Sequence, residues 1–442
     1  MSLNDNKNSK SRKLFSEANK VLAGGVSRQM VQRNPHPDYV SAGQGCRVTD
    51  IDGVTRIDFA NNTSSLIHGH AHPEIVEAVT KQLKNGTAFS LATEAELQLA
   101  QSLCARNSSF EKIRFMNSGT EAVMAGIKAA RAITGRTKIA KCEGCYHGTY
   151  DFAEASQSST PDNWGSPDRP AATPAVPGTP QSSLEEVVVF PLNDIERTIA
   201  ILDQHKTELA CVLIDPLPHR AGLIPVTKKF MTALREWTRN NGSLLMVDEV
   251  LSFRMSYGGA QEWYEIQPDL SALGKIIGGG FPVGALAGTN ESMSVFDSKS
   301  VNHVSFSGTF AANPITMTAG RVAMDLFDRK SVQQLNELGD FARKRIEEVI
   351  KSVAVAAHVT GAGSMFRIYL KEEPPTDYRS AHLNRSEAAE TAFLVDFLYH
   401  NGCIMINTCT AALSTATTES EIKFLAETIE AGLQEVVNRR QQ

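Results

Sequence analysis

No run of apolar residues in this 442-residue chain approaches the ~18 that a membrane-spanning helix needs, so a membrane protein is not expected. An excess of one charge is missing too. The 44 Lys+Arg against 49 Asp+Glu leave a net charge of −5, which offers nucleic acid or an anionic membrane surface little to hold. Cysteine is sparse. The seven residues, at 46, 104, 142, 145, 211, 403 and 409, are scattered and odd in number. That argues for a reducing, cytoplasmic setting rather than a disulfide framework. Cys142 and Cys145 form a lone C-x-x-C without the second pair a zinc site would want. His70 and His72 have no third ligand beside them, and no metal is expected. Residues 1–12 are polar and basic with no apolar core after them, unlike a secretory signal.

What is present is an ordinary globular composition, long enough to bury a large core in two or more domains. From residue 186 strands and helices alternate: strand 187–190, helix 195–204, strand 210–214, helix 227–238, strand 244–247. This spacing predicts a parallel sheet with helices on both faces. Upstream, the pattern gives a helix over 14–22, a β-hairpin over 46–59, helices ending at 83 and 104, and a strand at 138–142. Downstream it gives a strand at 284–288 and helices over 314–327, 331–353, 387–399 and 419–437. Strands are expected within 361–370 and at 403–406. Residues 156–183 are rich in Pro, Ser, Thr and Gly without periodicity, and a loop this long is usually functional or disordered.

Three stretches carry chemistry. Lys275 sits between an apolar approach and the run Gly278-Gly279-Gly280. Glycines let a flat ligand come close, and a lysine held there can act as an amine nucleophile toward a carbonyl compound such as pyridoxal phosphate. By itself the stretch reads better as a surface lysine before a flexible loop, and the other stretches change the balance. Asp248 ends the apolar strand Leu244-Leu245-Met246-Val247, at the sheet edge where α/β proteins bind ligands. A carboxylate there can pair with the pyridine nitrogen of pyridoxal phosphate. Ser118 and Glu121 fit a capping box opening a helix over 122–133, which Gly135 would stop. Ser118, Gly119 and Thr120 would offer N–H groups, hydroxyls and a favourable dipole to a phosphate.

Five motifs stand in a recognisable order: Asn117-Ser118-Gly119-Thr120-Glu121-Ala122, Glu143-Gly144-Cys145-Tyr146-His147-Gly148, Asp248-Glu249-Val250, Leu273-Gly274-Lys275-Ile276-Ile277-Gly278-Gly279-Gly280 and Ser307-Gly308-Thr309-Phe310. From about residue 24 to near the C-terminus the chain resembles the class III aminotransferases, most of all the glutamate-1-semialdehyde aminomutase branch. The resemblance implies the fold type I α/β architecture. A large domain, 61–320, would hold a mostly parallel sheet flanked by helices. A smaller α/β C-terminal domain, 321–442, would pack with an N-terminal segment, 1–60.

The resemblance also implies that Lys275 holds pyridoxal phosphate as a Schiff base, with Asp248 on the ring nitrogen and Val250 beneath the ring. Tyr146 would stack on it and His147 would support. Ser118, Gly119 and Thr120 would hold the phosphate, joined by Thr309 from the neighbouring subunit of a homodimer. Arg28, after Gly24-Gly25-Val26-Ser27, is the candidate for the substrate carboxylate, because a guanidinium meets a carboxylate with two parallel bonds. Arg220 is the second candidate. Residues 156–183 lie where the aminomutase has a gate.

The aminomutase carries a glutamate near its C-terminal strands. The corresponding stretch here, 407–414, has neither an acid nor an arginine. The aminomutase's Glu-Pro-Val-Ala-Gly-Asn turn is replaced at Asp215. These departures look more like the β-amino-acid aminotransferases of the branch. The expected function is an aminotransferase that moves an amino group from an amino acid, β-amino acids included, or from another carboxylate-bearing amine, to a 2-oxo acid. The alternative is an isomerase, either glutamate-1-semialdehyde 2,1-aminomutase or an amino-acid racemase. A non-catalytic scaffold is disfavoured because Lys275 and Asp248 are both present.

Overall fold

A computed structural model describes residues 9–441; the stretch 1–8 of the polar N-terminus and residue 442 lie outside the described residues. Seven strands form the central sheet, in the order Lys112–Met116, Gly284–Gly288, Leu270–Gly274, Leu244–Asp248, Leu209–Ile214, Lys138–Cys142 and Val187–Phe190. Gly284–Gly288 runs antiparallel to both its neighbours, and the pairings among the other strands are parallel. The strands are buried almost throughout, which is why they read as continuous apolar runs rather than alternating ones.

The helix Gly119–Thr134 packs along this sheet and buries Ala122, Val123, Ala125, Ile127, Ala129 and Ala130. Gly135 ends it with φ 67°, as expected. At its start Ser118 Oγ accepts from the Glu121 N–H at 3.2 Å. The Glu121 carboxylate reaches one residue further back than a capping box requires and accepts from Asn117 N at 2.8 Å. One residue is glycine for lack of room. A Cβ on Gly284 would come within 1.9 Å of the Ser118 carbonyl oxygen, so the antiparallel strand can press directly on the Ser118 turn.

The C-terminal part holds an antiparallel sheet of His358–Thr360, Met365–Tyr369 and Thr410–Ala412. The long helices Arg329–Val353, Arg385–His400 and Glu419–Arg440 belong to the same part of the chain. A further sheet joins distant parts of the chain. Val40–Gln44, Arg47–Asp50 and Thr55–Asp58 form an antiparallel meander, and Cys403–Ile404 pairs parallel to Thr55–Asp58. The expected strand over 403–406 stops at Ile404, because the chain turns back so that Ile406 bridges Thr410. The first helix spans Lys10–Ala18, earlier than expected, since Asp52 accepts from Ser9 Oγ, Lys10 N and Ser11 N and fixes its start.

Residues 156–183 are not a bare loop. They contain the ladder Gly165–Ser166 with Arg169–Pro170 and the helix Gln181–Glu185. Arg379 donates to the carbonyls of Trp164 and Gly165, both at 2.9 Å, and pairs with both oxygens of Glu143 at 2.8 and 3.0 Å. Tyr378 donates to the Ser159 carbonyl at 2.5 Å. The segment is therefore tied to the C-terminal part. Among the described residues no helix is long and apolar enough to cross a membrane, and the seven cysteines are unpaired.

Candidate active site

The C-terminal ends of the parallel strands converge on one edge of the sheet. Met116 leads into Asn117 and Ser118, Cys142 into Tyr146 and His147, Ile214 into Asp215, and Gly274 into Lys275, while Asp248 ends its own strand. A cavity of about 810 Å³ opens there. It brings together Ser118, Gly119, Thr120, Tyr146, His147, Arg220, Asp248, Val250 and Lys275. Arg28 and Thr309 are not among its lining residues. Arg28 lies at the lip, donating to Asn62 Oδ1 at 2.7 Å and Thr63 Oγ1 at 3.4 Å, and both of those residues line the cavity. Thr309 lines a different cleft of about 740 Å³, beside Phe89, Phe306 and Asn313.

Lys275 follows its strand with φ 49°, a left-handed conformation costly for a side chain of this size. Burial lowers the pKa of its amine, against the pull of the Asp248 and Asp215 carboxylates, and so favours the neutral, nucleophilic form. Asp248 is 4 % exposed, and its Oδ1 accepts from Val250 N at 3.0 Å. His147 Nδ1 lies 2.8 Å from Asp248 Oδ2. Burial works against a charge on His147, yet the hydrogen bond to Asp248 raises its pKa to about 9. A charged His147 in turn keeps the Asp248 carboxylate aimed.

Asp215 was met in the sequence only as a departure from a motif, and the structure gives it a place. Its strand runs parallel to that of Asp248, with Ile214 opposite Val247, so one further step sets the two aspartates side by side. Burial and then the charge of Asp248 push its pKa well up. His219 is held neutral by burial, its pKa lowered to about 3, and its Nε2 lies 3.2 Å from Thr408 Oγ1.

The rest of the cavity wall is apolar or neutral: Met30, Leu251, Phe281, Pro282, Met365, Ile406, Asn407 and Thr408. Sequence reasoning missed this wall. Its residues come from loops with no periodic signal, and only the missing acid in 407–414 hinted at it.

The residues fit pyridoxal phosphate. The Ser118 turn opens a sixteen-residue helix whose first N–H groups have no intrahelical partner. A Cβ on Gly119 would meet Val250 at 2.8 Å, so the turn lies close against the residue that would underlie a ring. The Tyr146 ring stands 40 % exposed with the Arg220 guanidinium 4.6 Å from its centroid. An amine whose pKa burial lowers, a buried carboxylate and a phosphate cradle share one cavity.

Comparison with known proteins agrees with this reading. The family model described as Aminotransferase class-III matches residues 30–418. A glutamate-1-semialdehyde 2,1-aminomutase of Methanothermobacter thermautotrophicus is 38 % identical over 373 residues, 84 % of this chain and 86 % of the relative. The crystal structure of an omega-transaminase from Sphaerobacter thermophilus superposes with a TM-score of 0.94 at 46 % identity, covering 97 % of this chain and 98 % of that one. A beta-phenylalanine aminotransferase from Variovorax paradoxus superposes with a TM-score of 0.86 at 30 % identity, covering 95 % and 93 %.

Proposed function

We propose, because this chain belongs to the class III aminotransferases and pyridoxal phosphate is its cofactor, that it is a transaminase for carboxylate-bearing amines, β-amino acids among them, with a 2-oxo acid as acceptor. The observation that carries this reading is the division of the cavity. Lys275, Asp248 and the Ser118 turn share its floor, while the far wall of Met365, Ile406, Asn407 and Thr408 bears no acid and the lip bears Arg28. An uncharged wall that includes Met365 and Ile406 suits a hydrocarbon side chain, and a guanidinium at the lip suits a carboxylate. Similarity to the omega-transaminase and the beta-phenylalanine aminotransferase supports the same reaction and substrate class.

Each residue has a role in this reading. Ser118, Gly119 and Thr120 bind the phosphate through N–H groups and hydroxyls. Tyr146 and Val250 would hold the ring between them, and Asp248, aimed by His147, would present its carboxylate to the ring nitrogen. When bound, the cofactor supplies a carbonyl for amines and a ring that takes up the electron pair left by a departing proton. Lys275 Nζ is the nucleophile that anchors it and, once freed, the base that removes the proton from the amine-bearing carbon of the substrate. Arg28 orients the substrate through its carboxylate, and Arg220, on the outer side of Tyr146, is the weaker candidate.

Thr309, in its separate cleft with the exposed Phe89, is read as serving the site of a second copy in a homodimer. The division at about 60 and 320 is supported by the sheet that pairs Thr55–Asp58 with Cys403–Ile404. Unpaired cysteines fit a cytoplasmic setting.

The second reading, an aminomutase, is favoured by the name of the 38 % identical relative. A half-reaction screen separates the two. The cofactor-loaded protein is mixed with one amine at a time, without acceptor, and followed by absorbance and product identification. Stoichiometric release of an oxo product is expected. Catalytic isomerisation of glutamate-1-semialdehyde without acceptor would instead make the protein an aminomutase.

A further inference from the structure

Asn61, Asn62, Thr63 and Ser64 form a turn of left-handed backbone, with φ of 44°, 49°, 57° and 68°. Asparagine tolerates this region, but a β-branched threonine does so poorly. Four such residues in succession persist only where the surroundings over-determine them. The anchors are present. Asp58 Oδ1 accepts from Ala60 N and Asn61 N, both at 2.9 Å. Asn61 Nδ2 donates to the Ala412 carbonyl at 2.7 Å. The fully buried Arg254 donates to the Ser64 carbonyl at 3.3 Å and also to Ser364 Oγ and the Leu413 carbonyl.

The turn presents Asn62 and Thr63 to Arg28. Asn62 Nδ2 donates to Ser65 Oγ at 2.9 Å, which leaves Oδ1 facing the guanidinium at 2.7 Å. Thr63 Oγ1 takes the second contact at 3.4 Å. Both partners are neutral. They fix the long side chain without cancelling its charge, and the remaining donors of the guanidinium stay free. An acid at either position would hold Arg28 equally well but would compete with an incoming carboxylate.

We propose that the left-handed turn 61–64 is a specificity-determining element, in which Asn62 and Thr63 are positioning residues that hold Arg28 at the cavity lip for the substrate carboxylate. This rests on the reading of Arg28 given above. Order in the unliganded site lowers the cost of immobilising the arginine when substrate binds. The neutrality of its two partners selects for anionic substrates.

The test uses two donors that differ only by a carboxylate, 3-amino-3-phenylpropanoate and its uncharged-tail counterpart 1-phenylethylamine, with the holoenzyme and its Asn62→Gly, Asn62→Asp and Arg28→Ala variants. Glycine keeps the left-handed backbone while removing the side chain, so the turn itself survives. With the carboxylate-bearing donor, Asn62→Gly is expected to raise KM about tenfold, the scale of one hydrogen bond to a charged group, and to leave kcat unchanged. Both constants for the amine that lacks the carboxylate should stay as in the wild type. Asn62→Asp should weaken the carboxylate-bearing donor further, because its charge competes for Arg28. If Asn62→Gly moves both donors equally or neither, while Arg28→Ala still separates them, the inference falls and the Arg28 reading stands. If the wild-type enzyme or Arg28→Ala fails to separate the donors, the reading falls and the inference with it.

Discussion

The floor and the lip of the cavity are built on different principles. On the floor, Lys275, Asp248, Asp215, His147 and the Ser118 turn stand at or just beyond strand ends, and their positions are fixed by the register of the sheet. Asp248, Asp215 and His147 are buried and Lys275 is half-buried beside them, so their protonation answers to one another. At the lip, Arg28 and Arg220 are exposed residues on loops, held by one or two contacts each. A sheet edge gives fixed geometry with little scope for change. A loop gives adjustable geometry that must be tied down residue by residue, as the left-handed turn does for Arg28. Chemistry belongs with the first and substrate choice with the second.

The contrast can be broken by substitution. Lys275→Ala on the floor should lower turnover by at least ~10³-fold, as for loss of a general base and nucleophile, while the circular dichroism spectrum stays native. Retained turnover would remove the lysine from the mechanism. Asp248→Asn should cost ~10²- to 10³-fold in kcat with the carboxylate preference between donors intact, measured by steady-state kinetics. A changed preference with little loss of rate would mean that the floor also selects substrate. At the lip, Arg28→Ala should raise KM for a carboxylate-bearing donor by ~10²-fold and leave kcat nearly unchanged. Arg220→Ala, which releases only a contact with the Tyr146 ring, should cost a few-fold in the same assay.

The smallest effect is one of pH. The folded pKa of His147 is raised from 6.5 to about 9, so the stabilisation from its pair with Asp248 is complete below about pH 6.5 and is lost as the pH rises through about 9. The unfolding temperature of the cofactor-free protein should fall across that window. Asp248→Asn should flatten the fall. A slope unchanged in the variant would exclude the pair as its source.

The same contrast explains what could be read in advance. The strands at 187–190, 210–214 and 244–247 are legible as apolar runs between helices because both faces of the sheet are covered. Lys275, Asp248 and Ser118 were visible because chemistry at a strand end uses few residue types at set spacings. Asp215 could be read as a strand terminus but not as a neighbour of Asp248, since adjacency in a crossed-over sheet is a property of topology. The Asn61–Ser64 turn had no signal. Two asparagines permit a left-handed path, but the constraint comes from Ala412 and Arg254, far away in the chain. The segment 156–183 looked structureless because its partners Tyr378 and Arg379 lie more than two hundred positions downstream.

The sheet shared by Thr55–Asp58 and Cys403–Ile404 bears on how the chain is made. During synthesis the meander over residues 40–58 leaves the ribosome early and can close on itself as local antiparallel pairs. Its outer edge then stays open until Cys403, more than three hundred residues further on, emerges. The lip of the active site follows directly, since Asp58 anchors the left-handed turn at one end and Ala412 holds its middle. The seat for Arg28 is therefore not completed until residue 412 has been made. A nascent or truncated chain ending before residue 403 would carry the residues of the floor without a finished means of choosing its substrate.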